Sequence, residues 1–228
     1  MKAGVVIRTK NEAEWIGRVL DAIARQVDVE PEIVVVDNQS TDRTVEIAAR
    51  YKCRLVTISD HEYSHGRALN LGVRATTADL VAVLSGHCIP VNDRWLLRLA
   101  ANFSRPSVAG VYGRQEPLPD SSAFDKRDLW TTFGRDRRTQ RQDHFFHNAN
   151  SMLRRAVWDQ LPFNESLPGV EDRDWAKRVQ DLGWQIAYEP HASVYHHHGI
   201  HQGRDEQRAA RVARVIELIQ SRPAGGRS

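Results

Sequence analysis

The chain has 228 residues, 41% of them hydrophobic and 27% charged, with 32 Lys and Arg against 29 Asp and Glu. This is the composition of one sizeable globular domain, and a net charge of +3 is too mild to point to nucleic acid. Two cysteines make no disulfide framework, and neither a leader-like stretch nor a run of transmembrane length is visible, so a cytoplasmic protein is expected.

Ala3 to Ile7 reads as a first buried strand, followed by Thr9 and Glu12 at capping-box spacing. Trp15, Ile16, Val19, Leu20 and Ile23 then recur at helical spacing, predicting an amphipathic helix to about Gln26. Glu32 to Val36 is a second strand, and Asp37 to Asp42 a turn that caps a helix to about Tyr51. A third strand covers Arg54 to Ile58, and a polar loop leads to a short helix over Arg67 to Val73. Leu80 to Leu84 is an unbroken apolar run, the pattern of a strand buried on both faces. It stops at Ser85-Gly86-His87; Asn92-Asp93 then offers a cap for a helix carrying Trp95, Leu96 and Leu99. Strands alternating with helices predict right-handed crossovers and a doubly wound parallel sheet. In such sheets ligands bind beyond the carboxyl ends of the strands, which places Ser85-Gly86-His87 where chemistry is expected. The first turn lacks G-x-G-x-x-G, against a dinucleotide dehydrogenase.

The second half changes character. Val108 to Tyr112 suits a strand, but Gly113 to His144 reads as long, polar and irregular, with a basic stretch over residues 134–141. Phe146 to Arg154 is a further strand and Arg155 to Leu161 a helix. Glu171-Asp172 opens a helix ended by Gly183, and Gln185 to Tyr188 and Ala192 to Tyr195 are short strands before His196-His197-His198. A last helix spans about Asp205 to Gln220, with a tail beyond residue 222 that should be disordered.

Seven segments in order resemble glycosyltransferases of family 2 with the GT-A fold, close to rhamnosyltransferase-like members of bacterial polysaccharide pathways. They are VVIRTKNEAEWIGRVL, IVVVDNQSTDRT, HGRALNLG, LVAVLSGHCIPVNDRWL, HNANSMLRR, GVEDRDWAKRVQDLGWQIAYEP and VYHHH, together covering roughly residues 3–200. The resemblance implies an α/β fold with a mostly parallel, Rossmann-like central sheet flanked by helices, and a smaller mixed-sheet acceptor half. The chain then divides into a nucleotide-binding half (1–112), an acceptor half (113–203) and a C-terminal helix (204–222).

The implied activity is transfer of a sugar from a nucleotide-sugar to an acceptor hydroxyl, with inversion, in capsule, O-antigen or exopolysaccharide synthesis. Thr9, Asn11, Glu12, Asp37, His65, Arg67 and Ser85 would bind the nucleotide, with Arg8 standing where the family more often has proline. Asp37 can accept from a ring N–H, which favours UDP- or dTDP-sugars. Asn148, Asn150 and Arg154 would face donor and acceptor sugars. Asp172 would be the general base, with Glu171 positioning the acceptor. Without the resemblance, the acidic pair equally suits a helix dipole.

The family's metal-gripping Asp-x-Asp aligns with Ser85-Gly86-His87, so both carboxylates are missing. Two outcomes are open. His87 with His196 and His198 holds a divalent ion (Mn²⁺ or Mg²⁺, imidazole suiting Mn²⁺ better), or the leaving phosphate is stabilised without metal. A weak or inactive nucleotide-sugar binder is the rival to the enzyme. The acceptor would be a glycan or lipid-linked glycan. Peripheral membrane association through the basic last helix stands against simple packing of that helix, and a homodimer is left open.

Overall fold

The computed structural model describes residues 1–167, 169–199 and 206–221. The tail expected to be disordered lies outside them, as do residues 200–205. In chain order, β1 (Lys2–Thr9), α1 (Ile16–Ala24), β2 (Glu30–Asp37), α2 (Thr44–Ala48), β3 (Arg54–Thr57), α3 (His65–Arg74) and β4 (Leu80–Ser85) make the parallel part. Then follow β5 (Cys88–Pro90), α4 (Trp95–Ala101), β6 (Val108–Pro117), α5 (Ala123–Thr132), β7 (Arg138–Gln140), β8 (Asn150–Arg154), α6 (Arg155–Gln160), α7 (Glu171–Asp181), β9 (Gln185–His196) and α8 (Glu206–Ser221). One sheet runs β3-β2-β1-β4-β8-β6-β9-β5, with β7 paired to β9. β8 is antiparallel to both β4 and β6, while β6 and β9 are parallel.

The valine-rich runs form strands because both faces are covered, and period two splits them between two cores. Val5, Ile7, Val35, Ala82 and Leu84 pack with Ile16, Val19, Leu20 and Ile23 of α1 and with Trp95, Leu96 and Leu99 of α4. Val6, Val34, Val36, Val81 and Val83 pack on the opposite side, with Leu69 and Val73 of α3 and Trp175 and Val179 of α7. Full burial of each such side chain contributes about 1.5–3 kcal/mol. α3 lies so close to the sheet that a Cβ on Gly72 would stand 2.2 Å from Val6 Cγ1.

Several expectations are corrected. The Thr9–Glu12 capping box does not form, because β1 continues through Thr9 and the helix begins at Ile16, with Trp15 and Ile16 N–H donating to the Glu12 carbonyl. α3 starts at His65, two residues earlier than expected, because Ser64 caps it by accepting from Arg67 N–H. Asn92 accepts from Arg94 N–H in a turn before α4; the helix itself is capped from across the fold, Leu96 N–H donating to Gln26 Oε1. Residues 113–144 are not irregular: β6 runs on to Pro117, α5 follows with Ser122 as its cap, and β7 adds to β9. The basic stretch belongs to that edge, where Arg137 bonds Glu189 at 2.8 Å and Arg138 lies over the Tyr188 ring. The strand expected from Phe146 begins only at Asn150, since Phe146 turns into the core against Trp175. The two short strands before the histidines are one, β9, with a register break where Gly113 pairs Glu189 and Gln115 pairs Val194. Among the described residues no helix is long and apolar enough to cross a membrane.

Candidate active site

A cleft of about 560 Å³ opens at the carboxyl ends of β1 and β4, walled by α7, the end of β9 and the segment before β8. That is a normal size for a small-ligand site. Gly86 lets the wall close tightly. Its N–H donates to the Arg8 carbonyl, and a Cβ there would stand 2.9 Å from Thr9 Oγ1.

Of the expected site residues, Thr9, Glu12, His65, Ser85, His87, Asn148, Glu171, Asp172, His196 and His198 line this cleft. Thr9 Oγ1 is buried and has no hydrogen-bond partner among the described residues. Five expected residues lie outside its lining. Asn11, in a left-handed conformation (φ 55°), accepts from Thr41 N–H and ties the turn after β1 to the loop after β2. Arg67 is turned to Glu62 at 2.9 Å on the surface, because the earlier helix start rotates it away. Asn150 is buried, accepting from Trp95 Nε1–H and donating to the Arg114 and Ala192 carbonyls. Arg154 stands opposite Leu80, at the far end of the sheet, and donates to the Val108 and Phe103 carbonyls. β8 begins too late, and runs the wrong way, to carry all three predicted sugar contacts to the cleft. Asp37 is buried at the end of β2, its carboxylate accepting from the Ser40 N–H and hydroxyl.

The acidic pair opens α7. Glu171 Oε1 accepts from Asn148 Nδ2 at 3.2 Å, and His65 Nδ1 lies 3.9 Å from Glu171 Oε2. Asp172 accepts from the backbone N–H groups of Asn148 (3.2 Å) and Arg173 (2.8 Å). Burial works against ionisation of Glu171, but Arg8, His65 and the Asn148 donor overcome it and hold that carboxyl below its ordinary value. At Asp172 burial and then the Glu171 charge prevail, and the carboxyl is pushed up to about 7. Two neighbouring acids with opposite displacements are an arrangement for acid–base work near neutral pH.

Sequence reasoning left Arg8 without a role and passed over Tyr63, His147 and Arg173, which all line the cleft. Arg8 donates to the Tyr63 hydroxyl at 3.4 Å. Burial opposes its charge, but Tyr63, Glu171 and Asp172 hold its pKa above the ordinary value. His147 Nδ1 accepts from Gln115 and from Ala149 N–H, so Nε2 carries its proton; burial, then Arg173, pushes its pKa down to about 4. The HNAN segment was the available signal for His147. Val212 and Val215 of α8 also line the cleft, so this helix packs on the domain.

His87, His196 and His198 come together with ring nitrogens within 4.8 Å of one another. His87 Nε2 faces His196 Nε2 at 3.2 Å, and His87 Nδ1 meets Glu12 Oε1 at 2.6 Å. His196 is buried, its Nδ1 has no partner among the described residues, and burial together with the surrounding histidines keeps its pKa well below the ordinary value. Three imidazoles offering lone pairs fit a divalent ion and leave coordination positions for oxygens of a ligand.

The sequence model of glycosyl transferase family 2 matches residues 4–161. The chain is 28% identical over 220 residues to the O-antigen chain rhamnosyltransferase RfbN of Salmonella typhimurium, covering 91% of this chain and 70% of that one. It is 28% identical over 193 residues to glycosyltransferase AglE of Haloferax volcanii, covering 81% and 63%. In fold it matches the mannosyltransferase PcManGT of Pyrobaculum calidifontis, solved with GDP-Man and Mn²⁺ (TM-score 0.72, 20% identity, 98% of this chain and 65% of that one). It also matches S. aureus TarS 1-349 (TM-score 0.72, 17% identity, 96% and 64%). The chain therefore spans about two thirds of the length of these relatives. With a GT-A sheet and an acid-lined cleft at its carboxyl edge, the chain is a glycosyltransferase and belongs to glycosyl transferase family 2.

Proposed function

We propose that this chain moves a sugar from a nucleoside diphosphate to a hydroxyl of a growing bacterial surface polysaccharide or its lipid-linked precursor, inverting the anomeric carbon. The observation that carries the reading is that the Glu171–Asp172 pair and the histidine trio line one and the same cleft. Asp172, ionised, takes the proton of the acceptor hydroxyl as its oxygen bonds to the anomeric carbon. The bond from that carbon to the phosphate oxygen breaks, and its electron pair leaves with the nucleoside diphosphate. One base and one displacement give inversion. Glu171, held charged by Arg8, accepts from acceptor hydroxyls, and His147 offers an Nε2–H donor to the sugar.

His87, His196 and His198 would hold the divalent ion, which when bound supplies positive charge against the diphosphate. Lys10, Ser85 and Thr9 line the same cleft. The resemblance, in which Asp37 would accept from the imide N–H of uracil or thymine, favours UDP- or dTDP-sugars as donors; here that carboxylate is buried and outside the cleft lining. The O-antigen role of RfbN supports a polysaccharide acceptor.

The test is slow hydrolysis of UDP-, dTDP- and GDP-sugars without acceptor, followed by transfer to a glycan acceptor, comparing wild type with Asp172→Asn. Expected is release of nucleotide by the wild type and loss of transfer with retained nucleotide binding in the variant. Nucleotide bound without any turnover by the wild type would leave only a binding protein.

A further inference from the structure

We propose that Glu12 is a positioning residue for the three-histidine centre, and that this centre takes a nitrogen-preferring divalent ion such as Co²⁺ or Zn²⁺ in preference to Mg²⁺. This deepens the donor-site reading above and rests on it.

The argument begins with proton bookkeeping. An ionised carboxylate only accepts, so the 2.6 Å contact requires His87 Nδ1 to carry the proton. His87 Nε2 therefore presents its lone pair to the cleft, 3.2 Å from His196 Nε2. Two ligands at 2.0–2.1 Å from one ion at the tetrahedral angle stand about 3.3 Å apart, close to that separation. Among the described residues no donor pins the His196 proton to Nε2, and ligation through Nε2 leaves its Nδ1–H without an acceptor. His198 brings a third ring within 4.5 Å (centroid to centroid) of His196.

Glu12 is itself held from three sides. Its N–H donates to Thr44 Oγ1 at 2.7 Å, its carbonyl accepts from Trp15 and Ile16, and its side chain reaches across to His87. Carboxylate–histidine pairs of this kind fix the tautomer and ring orientation of a ligand. The chemistry of the trio sets the preference. Mg²⁺ demands oxygen ligands, and the three clustered side chains offer only imidazole nitrogen.

The test uses the whole chain, stripped with chelator and titrated with Co²⁺ alone. Expected are visible d–d bands of nitrogen-bound Co²⁺, abolished by His87→Ala, displaced by one equivalent of Zn²⁺ and untouched by roughly thousand-fold Mg²⁺. Glu12→Ala should weaken Co²⁺ binding by about 10–100-fold. Glu12→Gln should keep most of the affinity, since its amide oxygen still accepts from Nδ1–H. Melting of each variant without metal checks that it folds. Absent bands, or displacement by equimolar Mg²⁺, would overturn the metal preference. Wild-type affinity in Glu12→Ala, or equal loss in Gln and Ala, would overturn the positioning role. UDP binding measured in chelator on the same preparation separates the two readings. Nucleotide bound without a Co²⁺ spectrum removes the centre and leaves the donor site, whereas a Co²⁺ spectrum without nucleotide does the reverse.

Discussion

Asp172 and Glu171 share a helix start and differ in what surrounds them. Burial opposes both charges; Arg8, His65 and Asn148 overcome it at Glu171, while at Asp172 the neighbouring Glu171 adds to it. With the Asp172 carboxyl at about 7, its basic form grows as pH rises, so kcat/KM should climb about tenfold per unit below pH ~6 and level above pH ~8. A flat profile would remove the assignment. The sign for stability is opposite. A raised carboxyl pKa means that the folded chain holds the proton more tightly than the unfolded one. The stabilisation is thus present at acid pH and lost as pH rises from the ordinary carboxylate range through 7. Asp172→Asn should therefore abolish transfer, and its effect on stability should be more favourable at pH 8 than at pH 4; urea unfolding at both values measures it. Arg8 is the leading cation beside Glu171 and also interacts with Asp172, beside which Arg173 stands as well. Arg8→Gln should move the midpoint of the activity profile to higher pH, seen in the same titration.

Among the elements, α3 and its loop hold one side of the cleft in place. Asn70 satisfies four groups at once, donating to the Phe163 carbonyl and Glu165 and accepting from Trp158 Nε1–H and Phe163 N–H. Asn70→Ala would leave buried donors unpaired at about 1–3 kcal/mol each, and a drop in urea midpoint with an unchanged slope would register it. Gly72→Val drives two branches into Val6 and Val36, and should cost at least about 1–3 kcal/mol by overpacking. The strands of the parallel part were legible because burial on both faces demands unbroken apolar runs. α5 and β7 were not, because α5 has little apolar periodicity and β7 is a three-residue, arginine-rich strand sustained by its partner β9. Pro90 likewise sits in a strand only because β5 is the edge of the sheet, where a missing N–H breaks no ladder bond.

At the scale of the molecule, the cleft belongs to no one segment. Its two sides are joined by contacts such as Glu12 to His87 and His87 to His196, 75 and 109 residues apart in the chain. A nucleotide filling it should stabilise the fold as a whole, by about 2.7 kcal/mol at a hundred times its Kd. That corresponds to roughly 5–11 °C of melting temperature for a chain of this size. A thermal-shift panel of UDP, dTDP and GDP with and without Mn²⁺ reads it, and no shift with any nucleotide would count against the donor site. The sequence alone determined the α/β class, the order of the nucleotide-side strands, the family resemblance, and the acidic pair at a helix start, because each is written in local spacing or a short contiguous motif. Only the tertiary structure decided that Asn150 and Arg154 turn away, that Glu12 serves His87, and that Arg8, Tyr63 and His147 face the acids. Those outcomes depend on strand register and on side chains meeting across the fold, and no local period in a chain encodes a distant neighbour.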